Sequence, residues 1–171
     1  MTRLSIPVLV AVVLASGCNS RPDVRKTYPV SGNLTINGAP AGAGVIVFLT
    51  PQFTETDKHP IHPRALTGEG GTFKFTTYET DDGVPEGEYV ATLEWPPPTG
   101  PMSSYASGDL FGGAFAKPDQ TAGLPGFKFA VTKDGAKVNL QLTLTPAQQQ
   151  ALEAAKKKAE QRAKNFQGNR E

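Results

Sequence analysis

The chain has 171 residues, with 17 Lys and Arg against 16 Asp and Glu for a formal charge of +1, and a single cysteine. A composition of 38% hydrophobic and 19% charged residues is that of an ordinary globular protein, and 18 Gly with 15 Pro call for many turns. The balanced charge leaves no electrostatic footprint for nucleic acid, and one cysteine excludes an internal disulfide, so the fold must rest on a hydrophobic core.

The chain opens with Arg3, an apolar run from Ile6 through Leu14, and the small residues Ala15, Ser16 and Gly17 before Cys18. This is the layout of a secretory signal, and the run is too short to span a bilayer, which needs about 20 apolar residues. An aliphatic residue, small residues, Gly and then Cys resembles the bacterial lipobox, with Ala15 where leucine is usual. The resemblance implies that residues 1–17 are a lipoprotein signal peptide and that Cys18 is the lipid attachment residue of the mature chain. Asn19 follows where an inner-membrane retention signal would carry Asp, which favours the outer membrane. Loss of Arg3 with the signal leaves the remainder neutral. Residues 18–27 are polar, without periodicity, and read as a tether.

The domain expected over 28–145 begins with Val30, Gly32, Leu34 and Ile36 alternating with Ser31, Asn33 and Thr35, and ends its first strand in Asn37-Gly38, the strongest short hairpin signal. Val45 to Leu49 is a continuous apolar strand suited to lie between two layers. Phe73-Lys74-Phe75, Tyr89 to Glu94, Phe127 to Thr132 and Val138 to Leu144 repeat the period of two. About seven short strands with no helical pattern among them indicate an all-β, antiparallel β-sandwich. Gly38, Gly71, Gly83 and Gly87 stand where turns call for positive φ. Tyr89 and Trp95 are expected at the core margin, with their polar atoms near solvent.

Two segments break the rhythm. Trp95-Pro96-Pro97-Pro98 must be extended, and from there to Gly126 the chain is rich in Gly, Pro, Ser and Ala, a connection far longer than the usual few residues. Such a loop offers a partner surface at Trp95, Tyr105, Asp109 and Phe111. Thr145-Pro146 is an N-cap followed by Pro at the first helical position, opening a basic C-terminal helix and tail over 146–171. Glu153 with Lys157 and Glu160 with Lys164 stand in the favourable i,i+4 order. Leu152, Ala155, Ala159, Ala163 and Phe166 make a thin apolar stripe, poor as a core. Six cations against three carboxylates from Pro146 onward suit contact with anionic headgroups or polymer, or a solvated helix.

Tyr28-Pro29-Val30-Ser31-Gly32, the Asn37-Gly38-Ala39-Pro40 turn, Thr67-Gly68-Glu69-Gly70-Gly71-Thr72-Phe73, and Asp82-Gly83-Val84-Pro85-Glu86-Gly87-Glu88-Tyr89 with Trp95 resemble the carboxypeptidase regulatory-like, transthyretin-like domain of small bacterial lipoproteins. Asp109-Leu110-Phe111-Gly112-Gly113-Ala114-Phe115 and Thr121-Ala122-Gly123-Leu124 resemble a further segment of the same proteins. The resemblance implies a Greek-key, prealbumin-like sandwich, usually without catalysis, with the C-terminal helix as an appendage outside the family pattern.

Few residues carry chemistry. His59 and His62, near Glu55 and Asp57, could contribute to a weak metal site, but zinc needs three or four ligands and the flanking prolines oppose a helix that would align them. Glu79, Asp81, Asp82, Glu86 and Glu88 lack the spacing of a calcium loop. No serine, cysteine or lysine is paired with a base in a recognisable motif. Hydroxyisourate hydrolases of the transthyretin type carry a distinctive C-terminal tetrapeptide, and Gly168-Asn169-Arg170-Glu171 does not supply it. The expectation is a lipid-anchored, non-catalytic lipoprotein of the cell envelope, without a cofactor or nucleic-acid partner. It would be held to the membrane by its lipid and contact an envelope protein or cell-wall polymer. A carbohydrate or small-ligand binding domain is the alternative, followed by a metal-dependent or hydrolytic enzyme.

Overall fold

The computed structural model describes residues 24–52, 60–97 and 108–168. Cys18, the signal segment, most of the tether, His59 and Tyr105 lie outside them. The element order is β1 (Thr27–Tyr28), β2 (Val30–Ile36), β3 (Ala39–Pro40), β4 (Ile46–Pro51), β5 (Arg64–Leu66), β6 (Thr72–Thr76), β7 (Val84–Pro85), β8 (Gly87–Glu94), α1 (Pro118–Thr121), β9 (Lys128–Val131), β10 (Ala136–Leu142) and α2 (Pro146–Gly168). The described residues are thus mostly β with a C-terminal helix.

Seven strands follow one another in the order β10-β2-β6-β5-β4-β8-β9, with β3 beside β2 and with β1 and β7 forming a separate pair. Alternation decides which side chains face inward. On β2 and β10 the in-register pairs Leu34 with Leu140 and Ile36 with Leu142 point to the core, while Ser31 with Lys137 and Asn33 with Asn139 point out. The same rule buries Val47 and Leu49 on β4, and Phe73 and Phe75 on β6, whose rings meet edge to face at 5.4 Å. Each of these large side chains contributes about 1.5–3 kcal/mol by leaving water.

One pairing departs from the antiparallel expectation. β2 and β10, the first and last long strands, run parallel over seven residue pairs, whereas the other strand pairs among the described residues run antiparallel. Between them the sheet curls, and β6 is the corner: Thr72 to Lys74 pair with β2, Phe75 and Thr76 with β5. The curl closes at the far side through the β9–β10 connection, where Thr132 and Gly135 bridge, and through the Gln141 N–H donating to the Pro125 carbonyl at 3.1 Å.

The Asn37-Gly38 hairpin forms as read from the sequence. Both residues have positive φ, 52° and 80°, the mark of the type I′ turn whose twist matches that of the strands. Asn37 does more than turn the chain: its N–H donates to Leu142 O at 2.8 Å, its Oδ1 accepts from the Leu144 N–H at 2.8 Å, and its Nδ2 donates to Gln149 Oε1 at 3.2 Å. The hairpin tip is thereby fastened to the end of β10 and the first turn of α2. The helix starts in a capping box, with the Gln148 N–H donating to Thr145 Oγ1 and the Thr145 N–H to Gln148 Oε1.

Tyr89 corrects the sequence reading. It is fully buried rather than marginal, and its hydroxyl donates to the Pro85 carbonyl, four residues upstream, at 3.0 Å. A tyrosine at the start of a strand bonded back to the preceding connection is the device that fixes corners in β-sandwiches.

The closure makes a prediction. Gly126 has φ +81°, and a methyl group there would lie 2.0 Å from the Asn139 carbonyl oxygen on β10. Gly126→Ala should cost about 1–2 kcal/mol from the left-handed backbone alone, with strand displacement adding to that. In urea the unfolding midpoint should fall at constant m-value, and an unchanged midpoint would show that this contact does not close the sheet.

Candidate functional site

Beyond Glu94 the chain reaches the corner where three of the candidate surface residues meet. Trp95 and Phe111 pack with ring centroids 5.6 Å apart, and Phe111 meets Phe115 edge to face at 5.3 Å. Asp109 organises them through its carboxylate. Oδ1 accepts from the N–H groups of Trp95 at 2.8 Å and Phe111 at 3.0 Å, and Oδ2 accepts from the Gly113 N–H at 2.8 Å. The Leu110 N–H donates to the Trp95 carbonyl, completing the clasp. Trp95, Asp109 and Phe111 are all part-buried, so each keeps some surface while holding the corner.

The segment 108–127, read from composition as loop, is tightly held. It runs along β8: Ala91 N–H donates to Phe127 O, Leu93 N–H to Phe115 O, and the buried Thr121 hydroxyl to Ala91 O at 2.6 Å. A stretch of strand edge that β9 is too short to pair is thereby satisfied, which removes an exposed edge. Glycine serves the segment through its backbone freedom, since Gly112, Gly113 and Gly126 all have positive φ.

α2 covers the same corner. Leu152 and Ala159 are buried, Ala155 packs against the core, and the Lys156 ammonium sits 4.7 Å from the centre of the Trp95 ring. A cavity of about 190 Å³ remains between Asp109, Phe111, Phe115, Leu144 and the helix residues Gln148, Ala151 and Ala155. Lys156 also pairs with Glu153 at 3.3 Å, so this carboxylate is engaged at i,i+3 with the lysine that faces Trp95. The thin stripe therefore docks, since small alanines let the helix approach closely and Leu152 supplies the anchor.

The other sequence candidates are spread apart. His62 is exposed, in the extended stretch leading into β5, where Ile61 and Pro63 point inward. Asp82 closes the 77–83 turn, accepting from the N–H groups of Thr77 at 2.7 Å and Tyr78 at 3.1 Å. Among the described residues no three His, Cys, Asp or Glu side chains are grouped to hold a metal ion. No described helix is long and apolar enough to cross a membrane.

Sequence reading missed a groove of about 1030 Å³ across the outer face of β10, β2, β6 and β5. Its floor carries Ser31, Asn33, Asn139, Thr72 and Thr76, and Asn33 donates to Asn139 at 3.4 Å. Lys137, Lys74 and Arg64 stand along it, with Asp81 3.8 Å from Lys74. Outward alternation of polar residues was visible in each strand, but their convergence depends on pairings between residues far apart in sequence. No family model, curated protein or solved structure matches the chain.

The Asp109 clasp can be measured. Asp109→Ala strands three backbone N–H groups and should cost about 1–3 kcal/mol, less than full burial would imply because water reaches the corner. Asp109→Asn retains an acceptor for Trp95 and Phe111 and should lose less. Thermal unfolding with Trp95 fluorescence reads both, and wild-type stability in Asp109→Ala would contradict the clasp.

Proposed function

We propose that this chain is a lipid-anchored module of the bacterial cell envelope, with a transthyretin-like, prealbumin-type β-domain that acts by binding and display rather than by catalysis. The observation that carries the reading is the place of Cys18, immediately after a short apolar run closed by small residues, with a polar tether to the first strand at Thr27. A buried structural cysteine has no reason to stand there. Several acyl chains on it, at about 0.8 kcal/mol per buried methylene, hold a protein at a membrane where one chain does not.

The way the domain uses its polar groups supports the non-catalytic part. Thr67 bridges Val45 N–H and Gly42 O, Thr121 holds β8, Tyr89 fixes its corner and Asp109 clasps the segment after Trp95. Among the described residues no buried side-chain nitrogen or oxygen lacks a partner, so the interior polar chemistry is committed to positioning backbone. Interaction then falls to the outer faces, toward an envelope protein or cell-wall polymer.

Cys18→Ser tests the anchor. The unaltered protein should incorporate labelled fatty acid and sediment with membranes, whereas the variant should do neither and should unfold at the same temperature as the parent. A variant still found with membranes would move the anchoring role elsewhere, first to the basic face of α2.

A further inference from the structure

The groove over the outer sheet face holds a charge arrangement that the fold does not need. In register across β10, β2 and β6 the residues read Lys137, Ser31, Lys74, placing two cations on either side of a serine and about 10 Å apart, two strand spacings. Arg64 follows on β5, opposite Thr76. Like charges this far apart on an exposed face repel only weakly, since salt screens them over about 10 Å at 0.1 M. Only Asp81 opposes them among the lining residues, at 3.8 Å from a lysine whose side chain is 68% exposed, and such a pair contributes little. The surface is therefore built with unspent positive charge.

The floor limits what that charge can serve. Serine, threonine and asparagine side chains offer hydroxyl and carboxamide groups suited to a polyol, and the exposed Leu66 offers an apolar surface for the C–H face of a sugar ring. The lining's one aromatic, Phe73, is buried and gives no face for stacking nucleobases, which single-stranded nucleic acids require.

We propose that this groove binds a linear polysaccharide bearing carboxylates, with Lys137, Lys74 and Arg64 pairing the acid groups and Asn33, Asn139 and Ser31 meeting the sugar hydroxyls. The assignment deepens the interaction-module reading and rests on it. Asp81 acts against the ligand and sets its affinity.

The test uses the full chain with Cys18 intact, in nonionic detergent, titrated calorimetrically with polygalacturonate and with neutral dextran. Saturable binding to polygalacturonate alone is expected, weakening with added salt as the screening length falls from about 10 Å at 0.1 M toward about 3 Å at 1 M. Replacing Arg64, Lys74 and Lys137 together by Gln should reduce affinity at least roughly tenfold, the summed effect of three exposed charge contacts. Asp81→Asn should raise it, and asparagine tolerates the left-handed φ of 59° found there, so the turn is kept. Replacing the exposed helix residues Lys157 and Lys158 by Gln should leave binding unchanged.

Absence of binding, equal loss in the helix variant, or tighter binding to anionic phospholipid vesicles would overturn the assignment. Membrane fractionation separates the two claims. A protein anchored through Cys18 that ignores polygalacturonate loses the glycan assignment alone, and one that binds the polymer but stays on membranes as Cys18→Ser loses the anchor alone.

Discussion

The parallel pairing of β2 with β10 is the constraint on which the rest of the architecture depends. It joins Val30–Ile36 to Ala136–Leu142, so the chain between them must form one closed circuit around the core. With a single cysteine no internal disulfide can hold that circuit. What holds it is burial: Leu34 and Leu140 are completely enclosed, and Val30 and Leu142 nearly so. Loop-closure entropy rises slowly with length, so the long connection is tolerable at equilibrium, but contacts this distant in sequence make for slow folding.

The closed circuit leaves ends and edges that need polar partners, and the sequence supplies them one at a time. Asn37 ties the hairpin tip to β10 and α2, Thr67 joins the start of β4 to the chain after β5, and Asp109 gathers three N–H groups after Trp95. The buried Thr67 would be expensive to leave unpaired, whereas the exposed Asn37 and the part-buried Asp109 contribute modestly. α2 adds a cover through Leu152, Ala159 and the Lys156–Trp95 contact. A body held in this way can carry outward charge at Arg64, Lys74 and Lys137 without loss of shape, which links the scaffold to the proposed polymer-binding role.

Local signals in the sequence were legible where local physics decides. Alternation located β2, β6 and β10, Asn-Gly located the type I′ turn with both φ positive, and Thr145-Pro146 located the start of α2. What the chain did not reveal depends on tertiary context. The direction of β10 beside β2 has no signature in either strand, because the same alternation serves parallel and antiparallel pairs. Segment 108–127 looked like loop because its glycines, which take positive φ at 112, 113 and 126, share their composition with flexible linkers, while the hydrogen bonds that fasten it to β8 join residues far apart in sequence. Alanines at 155 and 159 looked too small to make a core, yet smallness is what lets the helix reach Trp95. The groove assembles from residues on four strands and could be seen only once they were paired.

Native-state hydrogen exchange puts the central constraint to the most direct test. If the β2–β10 pairing closes the fold, the amides of both strands should exchange together in the slowest class, through global unfolding. Exchange of β10 with α2 through a lower-energy opening, while β4 and β8 stay protected, would contradict it.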